Sequence, residues 1–335
     1  MKLYDTIIIG AGQAGLAAGY YAKKESLDFL ILESKEVGGS WNEYYDSLTL
    51  FTPKEYSALP GMRFPGEKGE YPTRSEMAAY LKEYATRMQL PIQTQSTVHS
   101  VQKEHNEFVL ETSKGEFRAK SVVVCSGPFN EPYIPNISGK ELYKGNIVHT
   151  HAYKNPELFK GKKVVVVGAG ASAVQIAVEL SQVTDVVLAM RHKPTFWPRT
   201  LLGKDITFWS KYTIDLVRVN QKGSIVIDTK EGKYKKALKE NHPPQKPMFK
   251  ALYENGVVWA NDEREAFDVI IFGTGYKPSF PFLKGLGAFE VRKPIPGLFF
   301  LGQPNQRTYA SATVRGAGRD GSVIIRRLKR YLKST

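Results

Sequence analysis

One local device occurs twice in this chain. DTIIIGAGQAGLAA (residues 5–18) and KVVVVGAGASAVQI (residues 163–176) each run a short β-branched strand into a glycine turn and then into a helical pattern. An internal repeat of this kind constrains the fold more than composition does, because both copies must bury the same faces. The first copy carries GxGxxG at Gly10, Gly12 and Gly15; the second carries GxGxxA at Gly168, Gly170 and Ala173. In this pattern the first glycine makes a tight turn, the second lets a pyrophosphate approach the backbone, and the third small residue lets helix pack on strand. The phosphates then meet a helix N-terminus, where unpaired N–H groups and the helix dipole favour negative charge. Cofactor binding is therefore expected at Gly10, Gly12, Gln13, Ala14 and Gly15, and again at Gly168, Gly170, Ala171 and Ser172.

The copies align on their glycines with an offset of 158 residues. That offset carries Glu33, at the end of the next strand in DFLILES, onto Arg191, at the end of VVLAMRHK. An acid there accepts hydrogen bonds from a ribose hydroxyl and repels a phosphate. The first copy should therefore hold a dinucleotide with a free ribose, and the second one with a 2′-phosphate. Each charge-assisted hydrogen bond from a guanidinium is worth about 1.5–3 kcal/mol, enough for a preference of roughly tenfold or more. His192 and Lys193 are further candidates for the same phosphate.

A chain of 335 residues exceeds one comfortable core, which points to two domains or one inside another. The net charge of +14 favours anionic ligands, but the basic residues are dispersed, so nucleic acid is not expected as a partner. No run approaches a membrane span and MKLYDTIIIG enters a strand directly, so a cytoplasmic location is expected. The single cysteine, Cys125, excludes an internal disulfide and any CxxC pair, and reads as a small buried residue. Thr73 and Glu76 form a capping-box start to a helix with Met77, Leu81, Tyr84 and Met88 at helical spacing, and FVLETSKGEFRAKSVVVCSG reads as a hairpin followed by a buried strand. The C-terminal IIRRLKRYLK reads as an amphipathic helix.

Further motifs extend the pattern: GGSW at 38–41, YKGNIVHTHAY at 143–153, VVCSG at 123–127, FGTGYKPS at 272–279, and the segment YDSLTLFTPKEYSALPGMRFP. With the two fingerprints, these make the sequence resemble the flavin-containing monooxygenases, the class B flavoprotein monooxygenases, and among them the short bacterial and plant YUCCA-like branch. GGSW looks like the family's flavin motif, YKGNIVHTHAY follows its FxGxxxHxxxY pattern with Tyr143 for the Phe, and VVCSG and FGTGY look like its two interdomain linkers. The resemblance implies an α/β fold of two Rossmann-like dinucleotide-binding domains, the NADPH domain inserted into the FAD domain. The FAD domain would occupy 1–155 and 268–335, and the NADPH domain 156–267.

The resemblance further implies FAD on the first fingerprint and NADPH on the second. Around FAD it adds Gly39, Trp41, Val98, Gly127 and Gly302 to the cofactor contacts. Gly316 falls near the flavin pyrimidine or, on the alternative, in a helix start capped by Asp320; Trp41 is either a cofactor wall or core. The implied reaction passes hydride from NADPH to FAD, and the reduced flavin then forms a C4a-hydroperoxide that oxygenates a soft nitrogen or sulfur nucleophile or a carbonyl carbon. The partners are then dioxygen and a small molecule, and no side-chain acid or base is assigned. The family's Asn before the Lys of FTPKE falls on Phe51, which donates no hydrogen bond; Thr49 or Thr52 could substitute. An NADPH-dependent reductase or oxidase releasing peroxide, and a non-catalytic flavoprotein, stand as alternatives. His149 and His151 form an HxH without acid or thiol partners at metal spacing, so no metal site is expected.

Overall fold

A computed structural model describes residues 2–219 and 225–335. The first repeat begins with β1 (Thr6–Ile9), α1 (Gln13–Lys24) and β2 (Phe29–Leu32). After α2 (Arg74–Arg87), the strands β3 (Val98–Glu104), β4 (Glu107–Thr112) and β5 (Gly115–Ala119) form an antiparallel meander leading into β6 (Val122–Val124). Next come β7 (Asn146–His149), β8 (Lys163–Val167), α3 (Ala171–Leu180), β9 (Asp185–Met190) and β10 (Gln245–Pro247). A second antiparallel meander, Ala251–Tyr253, Gly256–Val258 and Arg264–Ala266, leads into β11 (Val269–Phe272). The chain closes with β12 (Leu298–Phe300) and α4 (Val314–Ser334).

Two parallel five-stranded sheets result. The first has the order β12, β6, β1, β2 and the edge strand Ile92–Gln93; the second has β7, β11, β8, β9, β10. Their central strands are Val- and Ile-rich without polar alternation because both faces are covered. Ile7, Ile8, Val165 and Val166, for example, have no exposed surface. The repeat seen in the glycines thus extends to whole topology: strand, helix, strand, a three-stranded meander, and a returning strand inserted beside the first. Residues 200–265, which carry no motif, supply the second meander.

The second sheet reaches beyond the expected 156–267 insert. β7 and β11 both pair within it, at Ile147↔Ile270 and Val165↔Ile270. Its strands therefore run from 146 to 272, because two apolar strands expected outside the insert join it in a row, β11 pairing with β8 and β7 with β11, instead of joining the first sheet.

Local expectations that follow from backbone chemistry hold. Thr73 and Glu76 form the reciprocal capping box of α2, and Met77, Leu81 and Tyr84 are buried beneath it. The hairpin turns between β4 and β5, and Cys125 is buried. α4 differs: it starts at Val314, with the Thr313 hydroxyl accepting from the Gly316 amide, so Asp320 is not its cap. Asp320 lies buried within the helix and pairs with Arg307 at 2.7 Å. The glycines in α4 admit close neighbours; a Cβ at Gly316 would lie 1.8 Å from the Ala310 carbonyl oxygen. Among the described residues, no helix is long and apolar enough to cross a membrane.

Candidate functional site

The first glycine turn sits between β1 and α1, at the carboxyl ends of the parallel strands, where open α/β sheets bind ligands. Gly10 has φ +106°, a left-handed value, and a Cβ there would lie 2.8 Å from the Cys125 carbonyl oxygen. Gly15 allows α1 to close onto the turn, since its Cβ would fall 1.8 Å from the Gly10 oxygen. Gly12 faces open space, with no described residue within 4 Å of a Cβ. Among the described residues no side chain caps α1, which begins Gln13–Ala14 with no acid in its first turn, so its N–H groups are left for a ligand.

Of the other residues expected here, Glu33, Trp41 and Gly302 reach that turn, and Val98 and Gly127 lie on neighbouring segments. Glu33 follows β2, and its Oε2 accepts from the Ala11 amide at 2.6 Å, between the first two glycines. Trp41 stands half-buried on a short 3-10 turn from Gly39, and its indole N–H donates to Gln13 at 3.2 Å. Val98 opens β3 just after Ser96, whose amide donates to the Glu33 carbonyl at 2.8 Å. Gly127 follows β6 with φ +76°, and no described residue lies within 4 Å of a Cβ placed on it; after β12, a Cβ on Gly302 would fall 2.8 Å from that of Ala14, so the chain passes close to α1 there. The Ser126 hydroxyl and both polar atoms of the Gln303 side chain are buried without a partner among the described residues. Open space before Gly12, free helix amides and these orphaned polar groups fit a large polar cofactor.

The second turn forms one wall of a cleft of ≈ 510 Å³. Gly168, Gly170, Ala171, Ser172, Arg191 and His192 all line it; Lys193 is exposed and does not. Gly170 again faces open space, and α3, like α1, has no side-chain cap among the described residues. The tight contact is made differently in the two copies. Ala173 stands where the first copy has Gly15, and the relief comes from Gly273, whose Cβ would lie 2.6 Å from that of Ala173. Gly273 corresponds to Cys125, so side-chain volume has changed partners across the helix–strand contact.

The register corrects the comparison of Glu33 with Arg191. β1 pairs Ile9 with Leu32, whereas β8 pairs Val167 with Ala189. Gly10 donates to Leu32 and Gly168 to Ala189, at 2.7 and 2.9 Å. The link from helix to strand is one residue shorter in the second copy, so Met190 is the counterpart of Glu33 and Arg191 lies one residue further. The contrast in charge persists in altered form: the carboxylate is replaced by Met190, and Arg191 follows it into the cleft, with no acid pairing to it among the described residues.

Several wall residues were not singled out from the sequence. Phe129, Tyr133, Met248, Thr274 and Tyr276 line the first cleft. Tyr276 belongs to FGTGYKPS, read as a linker; its ring packs edge-on against His149 at 4.9 Å, and its hydroxyl lies 3.4 Å from His151 Nδ1. Burial holds the His149 pKa below the ordinary value. A second, more open cleft of ≈ 560 Å³ includes Thr49, Lys54, Glu70, Tyr71, Arg199 and Lys230. Phe51, at 45% exposure, lies between two of its residues in sequence. Thr52 is buried with its hydroxyl 2.7 Å from that of Ser57, whereas Thr49 lines the cleft. Nothing in the sequence pattern marked Arg199, because its partners come from residues 71 and 228.

Comparison with known proteins bears on this geometry. The family model described as pyridine nucleotide-disulphide oxidoreductase matches residues 7–298. The uncharacterized oxidoreductase CzcO of Bacillus subtilis (strain 168) is 36% identical, across 97% of this chain and 99% of its own. The probable indole-3-pyruvate monooxygenase YUCCA7 of Arabidopsis thaliana is 32% identical over 59% of this chain and 49% of its own. Among solved structures, a flavin-containing monooxygenase from Stenotrophomonas maltophilia superposes with a TM-score of 0.86 at 28% identity, covering 99% of both chains. The chain belongs to the pyridine nucleotide-disulphide oxidoreductase family and, within it, to the flavin-containing monooxygenases, as a flavin-dependent oxidoreductase that uses FAD and NADPH.

Proposed function

We propose that this chain is a monooxygenase that draws hydride from NADPH through FAD and oxygenates a small soft nucleophile, at nitrogen or sulfur, or a carbonyl carbon. The observation that carries the reading is the duplicated glycine turn, each with an uncapped helix N-terminus and open space at its second glycine. In this reading Gly10, Gly12, Gln13, Ala14 and Gly15 hold the FAD pyrophosphate, and Glu33 turns from the Ala11 amide to the ribose. Gly39, Trp41, Val98, Gly127, Gly302 and Gly316 border the rest of FAD. Gly168, Gly170, Ala171 and Ser172 take the NADPH pyrophosphate, and Arg191 with His192 takes the 2′-phosphate, Lys193 contributing only long-range charge. The bound cofactors supply hydride transfer and dioxygen activation as the C4a-hydroperoxyflavin; the chain's part is to align them and exclude water.

A second reading is favoured by Phe51, whose side chain offers no hydrogen-bond donor at the position that the family resemblance gives to an Asn in many members, though not in the plant branch: NADPH oxidation that releases peroxide. Reoxidation of the NADPH-reduced enzyme by dioxygen, followed by stopped-flow absorbance with and without NADP⁺, separates the two. A persistent flavin–oxygen adduct, with sulfoxide formed from thioanisole, is the expected result. Direct return to oxidised flavin with one peroxide per NADPH would replace the first reading by the second.

A further inference from the structure

Arg199 is 8% exposed, and a buried guanidinium persists when its charge and its donors are answered. Only part of that is done by the protein. Its Nε donates to the Asp228 carbonyl at 2.6 Å, and its guanidinium lies 3.8 Å from the centroid of the Tyr71 ring. No carboxylate among the described residues pairs with it, and residues 220–224 contain no acid. The surrounding acids are engaged elsewhere. Asp205 accepts from the Tyr71 hydroxyl and from the Thr207 amide. Glu70 and Glu76 both hold Lys54, at 2.8 and 2.9 Å. The Asp228 carboxylate accepts the Thr229, Tyr234 and Lys235 amides at 2.8 to 2.9 Å. Arg199 lines the second cleft, and beyond the neighbouring Tyr71 hydroxyl its Nη donors have no partner among the described residues.

We infer that Arg199 is a specificity-determining residue that anchors a small organic carboxylate in the second cleft, its two Nη donors matching the two carboxylate oxygens. A guanidinium fork suits this geometry, and stacking on Tyr71 fixes its plane. The charge of the walls selects a monoanion over a phosphate. Lys54, Arg199 and Lys230 share the cleft with Glu70, Glu76 and Glu231, so three carboxylates offset three cations and the walls carry no net positive charge to hold a dianion. The identification of that carboxylate as the oxygenated substrate rests on the monooxygenase reading above; the anion site itself does not.

The test uses the FAD-loaded full chain and two thioethers of one shape, (phenylthio)acetate and (phenylthio)acetamide, with calorimetric binding and sulfoxide formation both measured. Two charge-assisted hydrogen bonds predict that the acid binds at least about tenfold tighter than the amide. In Arg199→Gln this ratio should fall to near one, and in Arg199→Lys, which keeps the charge but loses the fork, to an intermediate value. Equal affinities in the unsubstituted enzyme would overturn the inference without recourse to any variant, and so would a ratio that survives Arg199→Gln. A tenfold preference without sulfoxide from either thioether would leave the anion site standing and count against the monooxygenase reading alone.

Discussion

A Cβ placed on Gly12 meets no described residue within 4 Å, whereas one on Gly15 falls 1.8 Å from the Gly10 carbonyl oxygen. The same substitution should therefore act on different quantities at the two positions. Gly15→Ala forces backbone apart and should destabilise the cofactor-free protein by about 3 kcal/mol or more, beyond the usual cost of overpacking. Gly12→Ala should leave the cofactor-free denaturant midpoint within about 1 kcal/mol of the parent, as at an uncapped helix start, yet lose FAD on purification. Equal destabilisation of the two cofactor-free variants would mean that the open space at Gly12 is not kept for a ligand. At the other nucleotide site, Arg191→Ala should raise the KM for NADPH by roughly tenfold to a hundredfold, the value of one guanidinium–phosphate contact, while changing that for NADH less than about twofold. Parallel losses with both nucleotides would remove the phosphate from Arg191. The register adds a control: Met190 stands where the first copy has Glu33, so Met190→Glu should penalise NADPH by placing a carboxylate beside its phosphate.

Among the elements, α2 shows how far short-range chemistry can be read. Thr73 and Glu76 are four residues of local sequence, and their reciprocal bonds form because the first helical amides have no other acceptors. Thr73→Ala should cost about 1 kcal/mol, seen as a lower thermal midpoint with FAD content unchanged. The fingerprints, the hairpin and the buried strands were legible for the same reason, since each is set by neighbours within a dozen residues. Strand membership was not. β7 and β11 fall outside the insert on the sequence reading and join the second sheet because β11 finds an apolar partner in β8 and β7 finds one in β11. The offset between Glu33 and Arg191 was misread by one residue because alignment on glycines cannot detect a shorter link after the helix. The start of α4 was hidden by its glycines, which are poor helix formers in isolation and are tolerated because Ala310, Pro60 and Tyr21 approach them closely. Arg199 was invisible because stacking on Tyr71 and bonding to Asp228 are tertiary facts.

At the scale of the whole molecule, the two halves are joined by polar contacts as well as by apolar packing such as that of Tyr45 in the core of the second sheet. Arg315 at the start of α4 grips Asp215, whose side chain has no exposed surface, through two bonds of 2.6 and 2.8 Å. Removing one partner strands the other's charge, so Arg315→Met should cost about 3–5 kcal/mol, and adding Asp215→Leu should recover most of it. His149 closes β7 and packs on Tyr276 after β11, where the chain passes back toward the first sheet. Burial keeps its pKa below the ordinary 6.5, so the native state holds it neutral while the unfolded chain takes up a proton. The unfolded state then binds more protons, and stability falls as pH drops from about 6.5 toward the native pKa, while above 6.5 it is unaffected by this group. Urea titrations at pH 7.5 and 5.5 should show a loss in the parent that shrinks in His149→Gln. An unchanged loss in that variant would assign the pH dependence to other groups and leave His149 as packing alone.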